Sequence, residues 1–114
     1  MPAMAYDEDL ANRIRETMAD EDGVTEKRMF GGLAFLIGGN MSVAASGQGG
    51  LMVRVDPDDG ERLVAETSAE RMVMRGREMN GWLRVPAEHV ETVEQLDTWV
   101  RGGVAFARSL PAKG

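Results

Sequence analysis

The sequence predicts an α+β fold, a two-layer sandwich in which an antiparallel sheet of about six strands is covered on one face by helices. The predicted element order is α-β-β-β-β-α-β-β-α. Glycine pairs at Gly31-Gly32, Gly38-Gly39 and Gly49-Gly50 cut an apolar region into the runs 33–37, 41–45 and 51–55. Apolar runs of strand length separated by Gly-Gly read as an antiparallel meander with two-residue turns. Helical periodicity brackets the chain at 6–19 and 92–110, and a helix start at Asp56-Pro57 divides the strands into four and two.

In the first helix, Leu10, Ile14 and Met18 recur at i, i+4 and i+8 with Ala11 beside them. Acids crowd its start, where the helix dipole favours them, with Asp7 as the candidate N-cap and Asp22-Gly23 as the stop. Residues 24–30 form a first strand with a polar centre, Thr25-Glu26-Lys27-Arg28, which runs into Met29-Phe30-Gly31-Gly32. There Gly31 and Gly32 are expected to let the backbone turn while Met29 and Phe30 pin the turn to the core. In 51–55, Leu51, Val53 and Val55 alternate with Met52 and Arg54, which predicts burial on one face.

Asp56 then caps a helix with Pro57 at its first position and acids in its first turn. This helix carries Leu63 and Val64, tolerates Gly60 and ends near Glu66-Thr67. Two further strands, 71–75 and 79–85, flank a turn around Gly76, and Pro86 breaks the pattern. Thr92-Val93-Glu94-Gln95 has capping-box form and opens the last helix. Its stripe is Leu96, Trp99, Gly103, Phe106 and Leu110. Each glycine of Gly102-Gly103 costs a helix about 1 kcal/mol relative to alanine, so the pair predicts close approach of the helix backbone to the sheet.

A chain of 114 residues holds one domain, 1–114 with a core at about 5–110, large enough to bury a core unaided. The absence of cysteine excludes disulfides, thiolate metal sites and a thiol nucleophile. No apolar run nears the roughly 20 residues of a membrane span, and the acidic N-terminus lacks the features of a secretory signal. A cytoplasmic location is therefore expected. Residues 1–26 hold eight acids against Arg13 and Arg15, which is the whole of the −6 net charge. Nucleic-acid binders draw most of their affinity from a basic excess, so unaided DNA binding is disfavoured and a protein partner is favoured.

No constellation of catalytic groups emerges. His89 is the single histidine, and Glu88 and Glu91 beside it do not complete a metal set. Ser46-Gly47-Gln48-Gly49-Gly50 lacks the lysine of a phosphate loop and precedes a strand instead of a helix. Ser42, Ser46 and Ser68 have no base nearby in sequence. Asp56, Asp58 and Asp59 lack the rest of a calcium loop and read as a helix N-terminus. Trp82 and Trp99 read as core or rim packing, since a base-stacking platform needs several aromatics with basic residues. A non-enzymatic chain without metal or cofactor is expected.

The candidate interaction surface is a mixture of arginine and methionine: Arg28, Arg54, Arg75, Arg77, Met72 and Met74. Between 71 and 84, Arg71, Arg75, Arg77 and Arg84 face Glu78 alone. Methionine suits adaptable contact surfaces. The plainer alternative buries the methionines on one strand face and solvates the arginines on the other. The same arginines, with Lys27, offer direct nucleic-acid binding as a second reading, and a small-ligand pocket between sheet and helices is a third.

The order of these pieces resembles the N-terminal domain of the TfoX/Sxy family of competence regulators. The resemblance rests on Met29-Phe30-Gly31-Gly32 one strand after an amphipathic helix, the strand at 51–55, Trp82-Leu83-Arg84-Val85-Pro86, and the closing helix through Trp99 and Phe106. It covers about 5–110. It implies the two-layer fold derived above and a regulatory role, as full-length members act in competence-gene expression, in association with the cyclic-AMP receptor protein. Those members carry a second, C-terminal domain suited to nucleic acid, which this sequence lacks, so a stand-alone N-terminal-type domain is expected. The family motif implies no catalytic residue. The partner it implies is a protein, RNA polymerase or a transcription factor, with a homodimer as a further expectation.

Overall fold

The computed structural model describes residues 8–29, 32–47, 49–67, 69–74 and 76–111, with backbone alone at 29, 74 and 77–80. The element order is α1 (Glu8–Thr17), β1 (Val24–Met29), β2 (Gly32–Ile37), β3 (Asn40–Ala45), β4 (Leu51–Arg54), α2 (Pro57–Glu66), β5 (Glu70–Met74), β6 (Arg77–Val85) and α3 (Val93–Ser109). A short 3-10 turn, Ala87–His89, precedes α3. The six strands form one antiparallel sheet in the order β1-β2-β3-β4-β6-β5. This is the predicted α+β fold. The N-cap predicted at Asp7 and the motif residues Phe30 and Gly31 lie outside the described residues.

Pleating sends alternate side chains to opposite faces. Leu33, Phe35 and Ile37 of β2, Val43 and Ala45 of β3, Leu51 and Val53 of β4, and Leu83 and Val85 of β6 share one core with the three helices. α1 contributes Leu10, Ala11 and Ile14, with Met18 just beyond its end, and α3 contributes Leu96, Val100, Val104 and Ala107. Burying each large aliphatic side chain is worth about 1.5–3 kcal/mol, so this face is where the fold draws its stability. α2 packs Leu63 and Val64 against the same core.

The helix ends follow their sequence signals. Asp56 is extended, and its carboxylate accepts the Asp58 N–H at 2.9 Å. At α3, the Thr92 hydroxyl accepts the Gln95 N–H at 3.0 Å while the Gln95 side chain accepts the Thr92 N–H at 3.1 Å. α1 is tied to the segment that leads into α3, and α3 to the turn that follows α1. Arg13 donates to the carbonyls of Val90 and Glu91 at 2.8 and 2.9 Å, and Arg108 pairs with Glu21 at 2.7 Å. A bidentate bridge from Arg15 to Glu26, at 2.7 and 2.8 Å, ties α1 to β1.

The glycine pairs divide into different roles. Gly38-Gly39 is the expected two-residue turn, both residues having positive φ between the partners Ile37 and Asn40. Gly49-Gly50 closes a longer loop that begins at Ser46, between the partners Ala45 and Leu51. Gly32 is not a turn residue: it already pairs with Met29 as the first residue of β2, and a β-carbon there would overlap the Ala45 carbonyl oxygen. Close strand approach, not turn conformation, requires the glycine. In α3, a β-carbon at Gly103 would stand 2.5 Å from the Ser42 carbonyl oxygen, as the predicted close approach demands, whereas one at Gly102 would meet nothing within 4 Å.

Two predictions follow from this geometry. Gly103→Ala overpacks the α3–β3 contact and is expected to cost about 1–3 kcal/mol, while Gly102→Ala is expected to gain up to about 1 kcal/mol in helix propensity, both read by urea denaturation. Equal effects at the two positions would contradict the packing described. Separately, the hydrogen bond from Arg15 lowers the Glu26 pKa below 4.5. A lowered carboxylate stabilises the fold above its unfolded pKa, and that contribution is lost as pH falls through the folded value. Wild type should therefore lose about 0.2–1 kcal/mol more than Arg15→Ala on acidification below pH 4.5, measured by denaturation across pH 3–6 (a range of about three units).

Candidate interaction surfaces

The sheet face turned away from the helical core is also apolar at its centre. Register aligns Lys27, Ala34, Ala44, Met52, Arg84 and Glu70 in one row across all six strands. Ala34, Ala44, Met52 and Met72 are buried, with Leu36, Met41 and Trp82 packed against them. β4 is thus buried on both faces at Leu51, Met52 and Val53, where alternation alone predicted one. A bulge makes room for this second cluster. Phe35 pairs with Val43 and Leu36 with Met41, which leaves Ser42 as the extra residue. The Ser42 hydroxyl donates to the Phe35 carbonyl at 2.8 Å, satisfying a fully buried polar group.

The sequence-selected residues do not form one patch. Met72 is buried in the second cluster, on the edge strand β5. Met74 and Arg77 are cross-strand partners at the end of the β5–β6 hairpin; their side chains, and all of Arg75, lie outside the described residues. Arg28 is exposed on β1, the opposite edge, paired with Leu33. Five strand spacings separate these edges, about 24 Å. Arg54 is half-buried at the end of β4. Its guanidinium lies 6.0 Å from the Trp82 ring centroid and 5.6 Å from that of Phe106, linking sheet to α3. Two further arginines of the 71–84 segment have acidic partners, Arg71 with Glu61 at 3.4 Å and Arg84 with Glu70 at 3.3 Å.

Trp82 and Trp99 are both half-buried and pack against the two clusters, as expected of rim aromatics. His89 is exposed in the turn before α3. Among the described residues, no three His, Asp or Glu side chains gather as a metal set. No helix among them is long and apolar enough to cross a membrane. Ser68 lies outside the described residues.

Residues read separately in the sequence, as strand alternation, helix start and helix stripe, converge to line a groove between α2 and α3, with a volume of about 500 Å³. Val53 and Val55 form its floor, and Leu63, Trp99 and Phe106 its apolar walls. Gly102 opens the α3 side, where its missing side chain leaves free space. Asp56, Asp59 and Arg62 stand on the α2 rim. The sequence signal was the offset within Gly102-Gly103: one glycine belongs to the stripe facing the sheet and its neighbour does not.

Comparison with curated proteins and with solved structures returns no match. A family match covers residues 16–107, from within α1 to the last turns of α3, and so spans the whole sheet and both groove helices. The chain belongs to the TfoX N-terminal domain family.

Proposed function

We propose that this chain is a non-enzymatic regulatory module that acts by binding another protein, a component of the transcription machinery. The observation that carries the reading is family membership over residues 16–107, which include the whole sheet. The distribution of surface supports it. One sheet face and one helix groove are apolar at their centres and charged at their margins, the arrangement of protein interfaces, in which apolar cores are ringed by polar rims. The acidic first quarter of the chain adds a charged surface that would steer encounter with a basic partner.

Phosphate binding has weaker support. Of the cations that reading names, Lys27 and Arg28 lie on the edge strand β1 and Arg54 on the central strand β4, and six other arginines, Arg15, Arg62, Arg71, Arg84, Arg101 and Arg108, are within 4 Å of a carboxylate. Affinity capture with the whole chain as bait, followed by mass spectrometry, is expected to recover RNA polymerase subunits or a transcription factor. Recovery of none would defeat the transcriptional reading. Mobility-shift titration with duplex DNA at low salt is expected to show no complex; binding with a steep salt dependence would establish the nucleic-acid reading instead.

A further inference from the structure

We infer that the α2–α3 groove is the docking site for an amphipathic helical segment of a protein partner, apolar on the face it buries and carrying lysine or arginine along its margin. The inference rests on the protein-binding reading above and supplies its surface. The groove's shape sets the occupant's size. Its lining runs along α3 from Thr98 to Ser109, about 16 Å at 1.5 Å per residue, which matches about three turns of helix. Its floor and walls offer apolar anchor sites, the recognition mode of a helix laid in a groove.

The rim sets the occupant's charge. Every hydroxyl in the lining has already donated its proton to its own helix: Thr67 to the Leu63 carbonyl at 2.6 Å, Thr98 to Glu94 at 2.9 Å, and Ser109 to Phe106 at 2.6 Å. The lining's single cation, Arg62, is held by Glu66 at 2.9 Å and Asp59 at 3.6 Å. Asp56 receives one backbone N–H and adds a second carboxylate to the rim. The rim's carboxylates, Asp56 and Asp59, outnumber its one cation, and its hydroxyls are left with acceptor lone pairs, which favours a partner with a cationic margin. Arg54 is not part of the lining; its guanidinium lies over the Phe106 ring.

Gly102 is the second observation. An exposed glycine inside a helix lowers stability, yet no neighbour within 4 Å requires its small size. What the missing side chain preserves is room in the groove.

The test uses two fluorescein-labelled 14-residue helical peptides with identical leucine positions, one with lysine and one with glutamate on the polar margin. Amide and Trp99 indole shifts and fluorescence anisotropy are followed for wild type, Gly102→Ala and Gly102→Leu. The lysine peptide is expected to perturb Leu63, Trp99, Gly102 and Phe106 and to bind at least 10-fold more tightly than the glutamate peptide. Gly102→Leu, which fills the groove and favours helix, should weaken binding at least 10-fold, and Gly102→Ala should weaken it by a smaller factor. Perturbations centred elsewhere, equal binding of both peptides, or undiminished binding by Gly102→Leu would overturn the inference. So would self-association that Gly102→Leu abolishes, since the occupant would then be a second copy. Affinity capture with Gly102→Leu separates the two claims. A transcription component retained by this variant refutes the groove and leaves the protein-binding reading standing. Lysine-peptide binding without any captured component does the reverse.

Discussion

The seat of α3 on β3 is the contact from which the rest of the architecture follows. Gly103 lets the helix backbone descend until a β-carbon would collide with Ser42 and Val43, and the bulge at Ser42 turns that residue's hydroxyl inward to the Phe35 carbonyl. With α3 fixed at this height, Leu96, Val100, Val104 and Ala107 reach the central strands. α1 is then held by Arg13, which reaches the segment that leads into α3, and by Arg108, which reaches back to the turn that follows α1. The groove exists because α2, launched from the end of β4 by Asp56-Pro57, comes down on β6 on the far side of β4 and leaves Val53 and Val55 between the two helices.

The sheet consequently serves two purposes. Its helix-covered face carries the aliphatic core and most of the folding free energy. Its other face is a row of small and flexible apolar residues, Ala34, Ala44 and Met52, with Lys27 at one edge and Glu70 at the other. Small side chains let the strands curve and let their neighbours cover them. Methionine fills the remaining space without demanding one shape. Backbone geometry also matters at the Met29-Phe30-Gly31-Gly32 motif. Gly32 of that motif permits β2 to start against the Ala45 carbonyl.

The elements and their order were legible in the sequence because local signals agreed with one another. Asp56-Pro57 and the capping box at Thr92 each name a boundary that the structure keeps, and the predicted stripe of the first helix is the buried face of α1. What resisted reading was non-local. A Gly-Gly pair announces unusual backbone but not whether the cause is positive φ, as at Gly38-Gly39, or a strand passing too close, as at Gly32. Alternation in β4 could not reveal that Met52 has a covered face of its own. The Arg71–Glu61 pair joins β5 to α2, and no spacing rule connects those positions. The candidate surface was read in the same way. Arg54 and Met72 do gather near Trp82, but Arg28 sits on the opposite edge because strand order, which the sequence does not spell out, separates them.

If the α3–β3 seat organises the fold, the two elements must open together. Native-state amide hydrogen exchange reads this directly, since segments that unfold as one unit share one opening free energy. The account predicts that Val43, Val53, Val100 and Val104 exchange at a common, highest free energy equal to that of global unfolding. Exchange of the α3 amides well below that of β3 and β4 would mean that the helix is a loosely attached cover and would contradict the account.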